Sequence, residues 1–231
     1  MLNLECNTMK RTFILLLFLI NYVSFAQKSN TIIKLSPLGL IDDINFPCIQ
    51  LGVENKLTKK LSIYNEFGFK YTNSSFENND TSFANSKGIK YKIEIRKYRK
   101  NDNNLKGLYY AMNIQYNYYR YNTQISFGPK ADRLAPSIYD NFLVSKRLII
   151  PNILIGKQIQ EKKHLILDYY LGAGLRFRNI KTTNREFNNL IHDIDTSIDV
   201  TIQSLRNNVA IQEGNSVVFN LATGIRVGYK F

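Results

Sequence analysis

Two constellations of ionisable side chains carry most of the chemistry this sequence could do. Glu54, Glu66, Glu94, Arg96, Asp168 and Arg226 combine carboxylates with guanidinium groups. Such a mixture can relay protons or ions, or neutralise itself as a buried hydrogen-bonded plug. Lys70, Lys90, Lys92, Arg176 and Arg178 form a purely basic set, suited to attracting lipid phosphates, polyanions or an anionic solute. Nucleophilic and metal chemistry is thinner. The two histidines are His164 and His192, and His192-Asp193 followed by Asp195, Ser197 and Asp199 has neither the spacing of a ligand set nor an activated serine. Cys48 is the only cysteine beyond residue 26 and cannot define a zinc site, and no glycine-rich phosphate loop is present. No catalytic residue, metal site or cofactor is therefore assigned.

The elements that must hold these groups have a period of two. In 217–231 the odd positions Val217, Phe219, Leu221, Ile225, Val227, Tyr229 and Phe231 are apolar, whereas Asn220, Ala222, Gly224, Arg226, Gly228 and Lys230 between them are polar or small. The same alternation runs through 61–71, 89–95, 108–118 and 165–177, and more weakly through 31–37, 47–53 and 149–159. Read as helices, these segments would carry charge all round, so eight strands are expected. Asn65 on an apolar face and Pro151 inside a strand break the pattern, and a bulge at each would accommodate them. Short connections, 55–60, 99–107 and 160–164, alternate with the others, of which about 73–87, 122–141 and 179–215 are long. Tight turns on one side and long loops on the other are the mark of a sheet that crosses a membrane.

Which face fills the interior decides between a soluble and a membrane barrel. The polar faces are rich in glycine and alanine mixed with charge, while the apolar faces are crowded with Leu, Ile, Phe and Tyr. That suits an ionic interior and a lipid-facing exterior. Ranked by height from the short-turn side, Glu54, Glu66, Glu94, Arg96, Asp168 and Arg226 fall in the lower lumen. Lys70, Lys90, Lys92, Arg176 and Arg178 fall above them as a basic mouth with no inward acid beside it. Lys97, Arg120, Arg147 and Lys157 lie on the apolar face near strand ends. Tyr109, Tyr110, Tyr116, Tyr118, Tyr119 and Tyr121 suggest an interfacial aromatic girdle. The 179–215 connection fits either a surface amphipathic helix or a hairpin extending the strands beside it; the hairpin is preferred.

Lys10 and Arg11, the apolar stretch 13–20 and Ser24-Phe25-Ala26 have the layout of a secretory signal peptide, with cleavage expected after Ala26. The remaining 27–231 read as one domain. Removing the leader takes away Lys10, Arg11 and Glu5, so the net charge of +13 barely changes. Export puts intracellular nucleic acid out of reach, and the positive balance points to envelope anions instead.

The ending GIRVGYKF, with its terminal Phe231, resembles the C-terminal strand of Gram-negative outer-membrane barrels. With the leader and the eight alternating segments, the chain is similar in architecture to small eight-stranded barrels of the OmpA-transmembrane-domain and OmpX type, and to an uncharacterised outer-membrane β-barrel family of similar length. The resemblance implies an all-β, antiparallel up-and-down transmembrane β-barrel in the cell outer membrane. It also implies that Tyr229 and Phe231 act as an assembly signal read by the barrel-assembly machinery. The expected function is non-enzymatic: a structural or surface-interaction role through the extracellular loops, as a monomer. The expected partners are outer-membrane lipids, including lipopolysaccharide, and an extracellular or envelope protein. The alternatives are a narrow pore for small or anionic solutes, a lipid-modifying enzyme and a soluble periplasmic ligand-binding barrel.

Overall fold

The computed structural model describes residues 31–41, 47–70, 84–99, 105–131, 138–161, 163–188, 190–194 and 213–231. The expected leader, 1–26, lies outside them, as does 195–212 of the connection expected to form a helix or a hairpin. The described residues form β1 (Thr31–Leu35), a 3-10 turn (Pro37–Ile41), β2 (Ile49–Lys56), β3 (Leu61–Phe69), β4 (Ala84–Tyr98), β5 (Gly107–Pro129), β6 (Ile138–Gln160), β7 (Leu165–Thr183), β8 (His192–Ile194) and β9 (Gly214–Lys230). Every pairing is antiparallel. β1 to β7 follow one another round a sheet that β9 closes by pairing with both β7 and β1, so eight strands make a ring. The short β8 adds to the far end of β5.

Alternation acts here from the inside out. Leu51, Phe67, Ile95, Met112, Ile153, Leu171 and Phe219, one each on β2 to β7 and β9, are exposed, whereas Glu54, Glu94, Arg96, Asp168 and Arg226 are buried. Thr31, Phe231 and the tight turns share one end of the ring, called the lower end below. At β2–β3, Thr58 Oγ1 accepts from the Lys60 and Leu61 amides and shapes the turn. At β4–β5, Leu105 sits at φ +51°, a region that non-glycine residues rarely occupy. It is held there because its side chain is buried with Ile32, Tyr98, Tyr109, Leu154 and Ile166, an apolar seal across the lower lumen.

Neither expected bulge forms. Asn65 keeps register with Val53 and Ile93, and its outward amide accepts a 2.9 Å hydrogen bond from the Tyr91 hydroxyl. Pro151 stays in register with Ile114, and the β6–β7 ladder lapses beside it between Ile149↔Phe177 and Asn152↔Gly174 without shifting. Gly174 makes this possible, because a Cβ there would collide with the Pro151 carbonyl.

The expected long loops at 122–141 and 179–215 are partly strand. β5 and β6 continue as a paired ribbon to Phe127↔Ile138, and β7 runs to Thr183. Above the ring the ribbon's inward face turns apolar: Tyr121, Phe127, Phe142, Val144 and Ile180 pack together beneath Phe187. Asp140 Oδ2 accepts from the Glu186 and Phe187 amides at 2.9 Å and fixes the covering segment. This second core was not anticipated.

Candidate functional site: an ionic plug beneath a polar cavity

Eight strands enclose an interior that side chains can fill, and inward positions of β1, β2, β3, β4, β7 and β9 fill this one with charge. Arg96 Nε donates to Glu94 Oε1 at 2.7 Å, while its Nη1 reaches Asp168 Oδ2 at 2.9 Å and Glu54 Oε2 at 3.1 Å. Arg226 contacts Glu94 Oε2 at 3.1 Å, Glu66 Oε2 at 3.3 Å and Asp168 Oδ2 at 3.4 Å. All six residues expected in the lower cluster therefore meet in one network.

Two further bases complete it. Lys34 Nζ lies 2.6 Å from Glu54 Oε2 and 2.8 Å from Asp168 Oδ2. Lys92 Nζ lies 2.7 Å from Glu66 Oε1. Lys92 thus leaves the set expected to have no acid beside it, because the β3–β4 register puts it directly opposite Glu66. Lys34 was missed altogether. The signal that could have found it is arithmetic: the expected cluster carries two more acids than bases, and a buried excess of that size calls for compensation. With Lys34 and Lys92 included, acids and bases are equal in number.

Hydroxyl groups occupy the remaining carboxylate lone pairs. Tyr98 and Ser62 donate to Glu54 Oε1, Tyr109 donates to Asp168 Oδ1, and Tyr64 and Ser36 donate to Glu66 Oε2, all within 2.5–2.7 Å. The rings also stack on the guanidinium groups. Arg96 lies 4.6 Å from the centroids of both Tyr64 and Tyr109, and Arg226 lies 4.5 Å from Tyr64 and 4.0 Å from Tyr170. The order Tyr109, Arg96, Tyr64, Arg226, Tyr170 is a column laid across the lumen, in the geometry that planar guanidinium favours over ammonium. Each ring rests over a glycine: a Cβ at Gly156, Gly52 or Gly224 would overlap Tyr109, Tyr64 or Tyr170 respectively. Three glycines of the polar faces are thus the seats of the tyrosines.

Above the plug is a cavity of about 380 Å³. Along one wall, Arg176 Nη2 donates to Asn220 Oδ1, Asn220 to Asn152 and Asn152 to Asn113, at 2.6, 2.7 and 2.8 Å. Leu221, Thr223 and Ile225 of β9 also line it. The Phe231 amide donates to Thr31 O across the β1–β9 seam, so alternate residues of β9, these three included, turn their backbone toward the β1 side. Among the described residues no strand meets them there, because β1 pairs only with 227–230.

The other members of the basic mouth stay above the plug. Lys90 is buried, Lys70 Nζ donates to Ser86 Oγ, and Arg178 Nε donates to Ser216 Oγ at 2.9 Å. Higher still, Lys146 lies 5.5 Å and 5.4 Å from the Tyr119 and Tyr121 centroids. Burial pushes its ammonium down to about 8, and Arg178 adds to the fall.

The expected tyrosine girdle is half interior. Tyr109 and Tyr121 are buried and Tyr119 packs on the upper core, because odd residues of β5 point inward; Tyr110 and Tyr116 are exposed. The His192 ring lies tilted against Phe127 with centroids 4.4 Å apart, and no cluster of metal-ligating side chains occurs among the described residues. At the lower end, Tyr229 stacks on His164 at 5.1 Å and meets Phe231 edge-on at 5.1 Å. No family model, curated protein or solved structure matches the chain.

Proposed function

We propose that the protein is a transmembrane β-barrel of a Gram-negative outer membrane, exported by the leader 1–26. It acts without catalysis, and its plugged barrel holds the β5–β7 extension outside the cell as a surface for envelope or extracellular partners. The observation that carries this reading is the exchange of faces along β5, β6 and β7. Up to Tyr116, Ile149 and Phe177 the outward residues are apolar and mostly exposed, apart from Lys157 at the lower edge. Beyond them Arg120, Asn122, Asn141, Arg147 and Lys181 point outward, and Tyr121, Phe127, Phe142, Val144 and Ile180 point in. A chain in one solvent has no reason to invert its pattern; a chain leaving lipid for water does.

The height of the apolar band agrees. From Leu165 to Phe177 on β7 the strand covers roughly 40 Å at about 3.4 Å per residue. At a tilt of about 45° this is about 28 Å vertically, close to a bilayer's hydrocarbon thickness. Fractionation tests the reading: the folded protein should partition with outer membranes and migrate faster on gels unheated than boiled. Recovery in the soluble periplasm would overturn it.

The cavity above the plug favours a second reading, in which the upper lumen holds a small anionic or amide-bearing solute against Lys92, Arg176 and the asparagine chain. The plug beneath argues against through-passage. Stable conductance steps from the wild-type protein in planar bilayers would establish a pore instead.

A further inference from the structure

Three successive outward rows run across β5 to β7 at the upper edge of the apolar band. The first, Tyr116↔Ile149↔Phe177↔Val217, is apolar. The next, Tyr118↔Arg147↔Asn179↔Asn215, is polar, with the Arg147 guanidinium 5.9 Å over the Tyr118 ring. The third begins on β4 and reads Lys87↔Arg120↔Ser145↔Lys181. Arg120 and Arg147, expected near strand ends, are mid-strand because the ribbon continues beyond them. They instead mark the end of the apolar band.

A groove of about 630 Å³ crosses these rows, with Ile149, Phe177 and Val217 on its apolar side and Arg147, Arg178 and Lys181 on its basic side, and no acid lines it. The charges of the plug are balanced by neighbours, but Lys87, Arg120, Arg147 and Lys181 have no carboxylate in their rows.

We infer that this groove and its basic row form a binding site for a phosphorylated glycolipid of the outer leaflet, with acyl chain on Ile149, Phe177 and Val217 and phosphates on Arg147, Lys181 and Arg120. The inference rests on the transmembrane reading above and names the lipid that this rim selects. Guanidinium groups bind phosphate bidentately, and a site where lipid meets water screens that attraction less than bulk solvent does. Arg120 on β5 and Lys181 on β7 are two inter-strand steps apart, roughly 10 Å at about 4.8 Å per step, and Lys87 on β4 extends the row by one step more. That span suits a disaccharide with a phosphate at each end better than a single phosphodiester.

The test uses the full-length protein folded in phosphatidylcholine vesicles doped with lipid A, extracted gently and analysed by native mass spectrometry for retained lipid. Wild type should retain lipid A, and the double variant Arg147→Glu, Lys181→Glu should retain about tenfold less while migrating on unheated gels as wild type does. Lys97→Glu with Lys157→Glu, at the lower edge, should leave retention unchanged. Equal retention by the upper-rim variant overturns the inference, as does an equal loss from the lower-rim variant, which would mean unspecific attraction. Equal retention of phosphatidylglycerol would overturn the choice of glycolipid. Failure of wild type to insert into the vesicles would instead overturn the transmembrane reading, a distinguishable result.

Discussion

Lys34 Nζ lies 2.8 Å from Asp168 Oδ2, joining the first strand of the ring to the seventh over the intervening β9. Lys34 also meets Glu54 at 2.6 Å and has no solvent competing for its protons, since both side chains are fully buried. Removing this one charge leaves the plug with an uncompensated carboxylate.

Lys34→Met should therefore destabilise the folded ring by about 3 to 5 kcal/mol, the usual effect of orphaning a buried ion. Urea titration in lipid vesicles, followed by the loss of fast gel migration, reads this out. Adding Glu54→Gln should restore part of the loss by returning the plug to neutrality; a double variant no more stable than the single one would refute the balance argued here.

Gly224→Val tests the seat beneath Tyr170. The new side chain must displace a ring that also stacks on Arg226 at 4.0 Å. A loss of about 1 to 3 kcal/mol is expected for overpacking at a filled site. Tyr170→Leu in the same chain should recover some of it, and strict additivity of the two substitutions would mean that the ring and the glycine are not coupled.

The upper core should respond to alkaline pH. Lys146 lies above the row of Tyr116, Ile149 and Phe177, outside the apolar band, and its folded value of about 8 is below the ordinary 10.5. Between those values the unfolded chain binds more protons than the folded one, so stability rises with pH through that window. Below about pH 8 both states are protonated and the penalty is complete. Hydrogen exchange at 121–127, corrected for intrinsic rates and compared at about pH 7.5 and 9.5, should show stronger protection at the higher pH. Lys146→Met should abolish the difference; a difference that persists in the variant would assign the effect to another group.

Deleting Phe231 tests the assembly signal. Its ring packs on Tyr229 and its amide donates to Thr31 O at 3.2 Å. Much less folded protein should reach the outer membrane in cells, whereas refolding of the purified variant in detergent should be close to normal. Equal loss in both settings would make Phe231 a matter of stability instead of recognition.

The eight strands and their faces were legible because alternation in each is long and one face is uniformly apolar. Heights were less so. Lys92 was placed above the acids although it sits opposite Glu66, because the register of β3 against β4 depends on a long connection that sequence spacing does not constrain. Lys34 lay in a strand of five residues, too short for a strong pattern. The upper core was legible in principle. On β5 the apolar positions are even from Tyr110 to Tyr118 and odd from Tyr119 to Phe127, a change of phase that marks a change of surroundings.

The seam between β1 and β9 spans four residue pairs, from Ile32↔Lys230 to Leu35↔Val227, against the unbroken ladder from Gly107↔Gln158 to Phe127↔Ile138 between β5 and β6. The ring therefore behaves kinetically as a long curled ribbon with a small latch. Latching brings together the two ends of the described chain, the contact of greatest sequence separation, and so comes late in folding. Until it closes, β9 presents a bare edge, the kind of surface at which another polypeptide can add a strand.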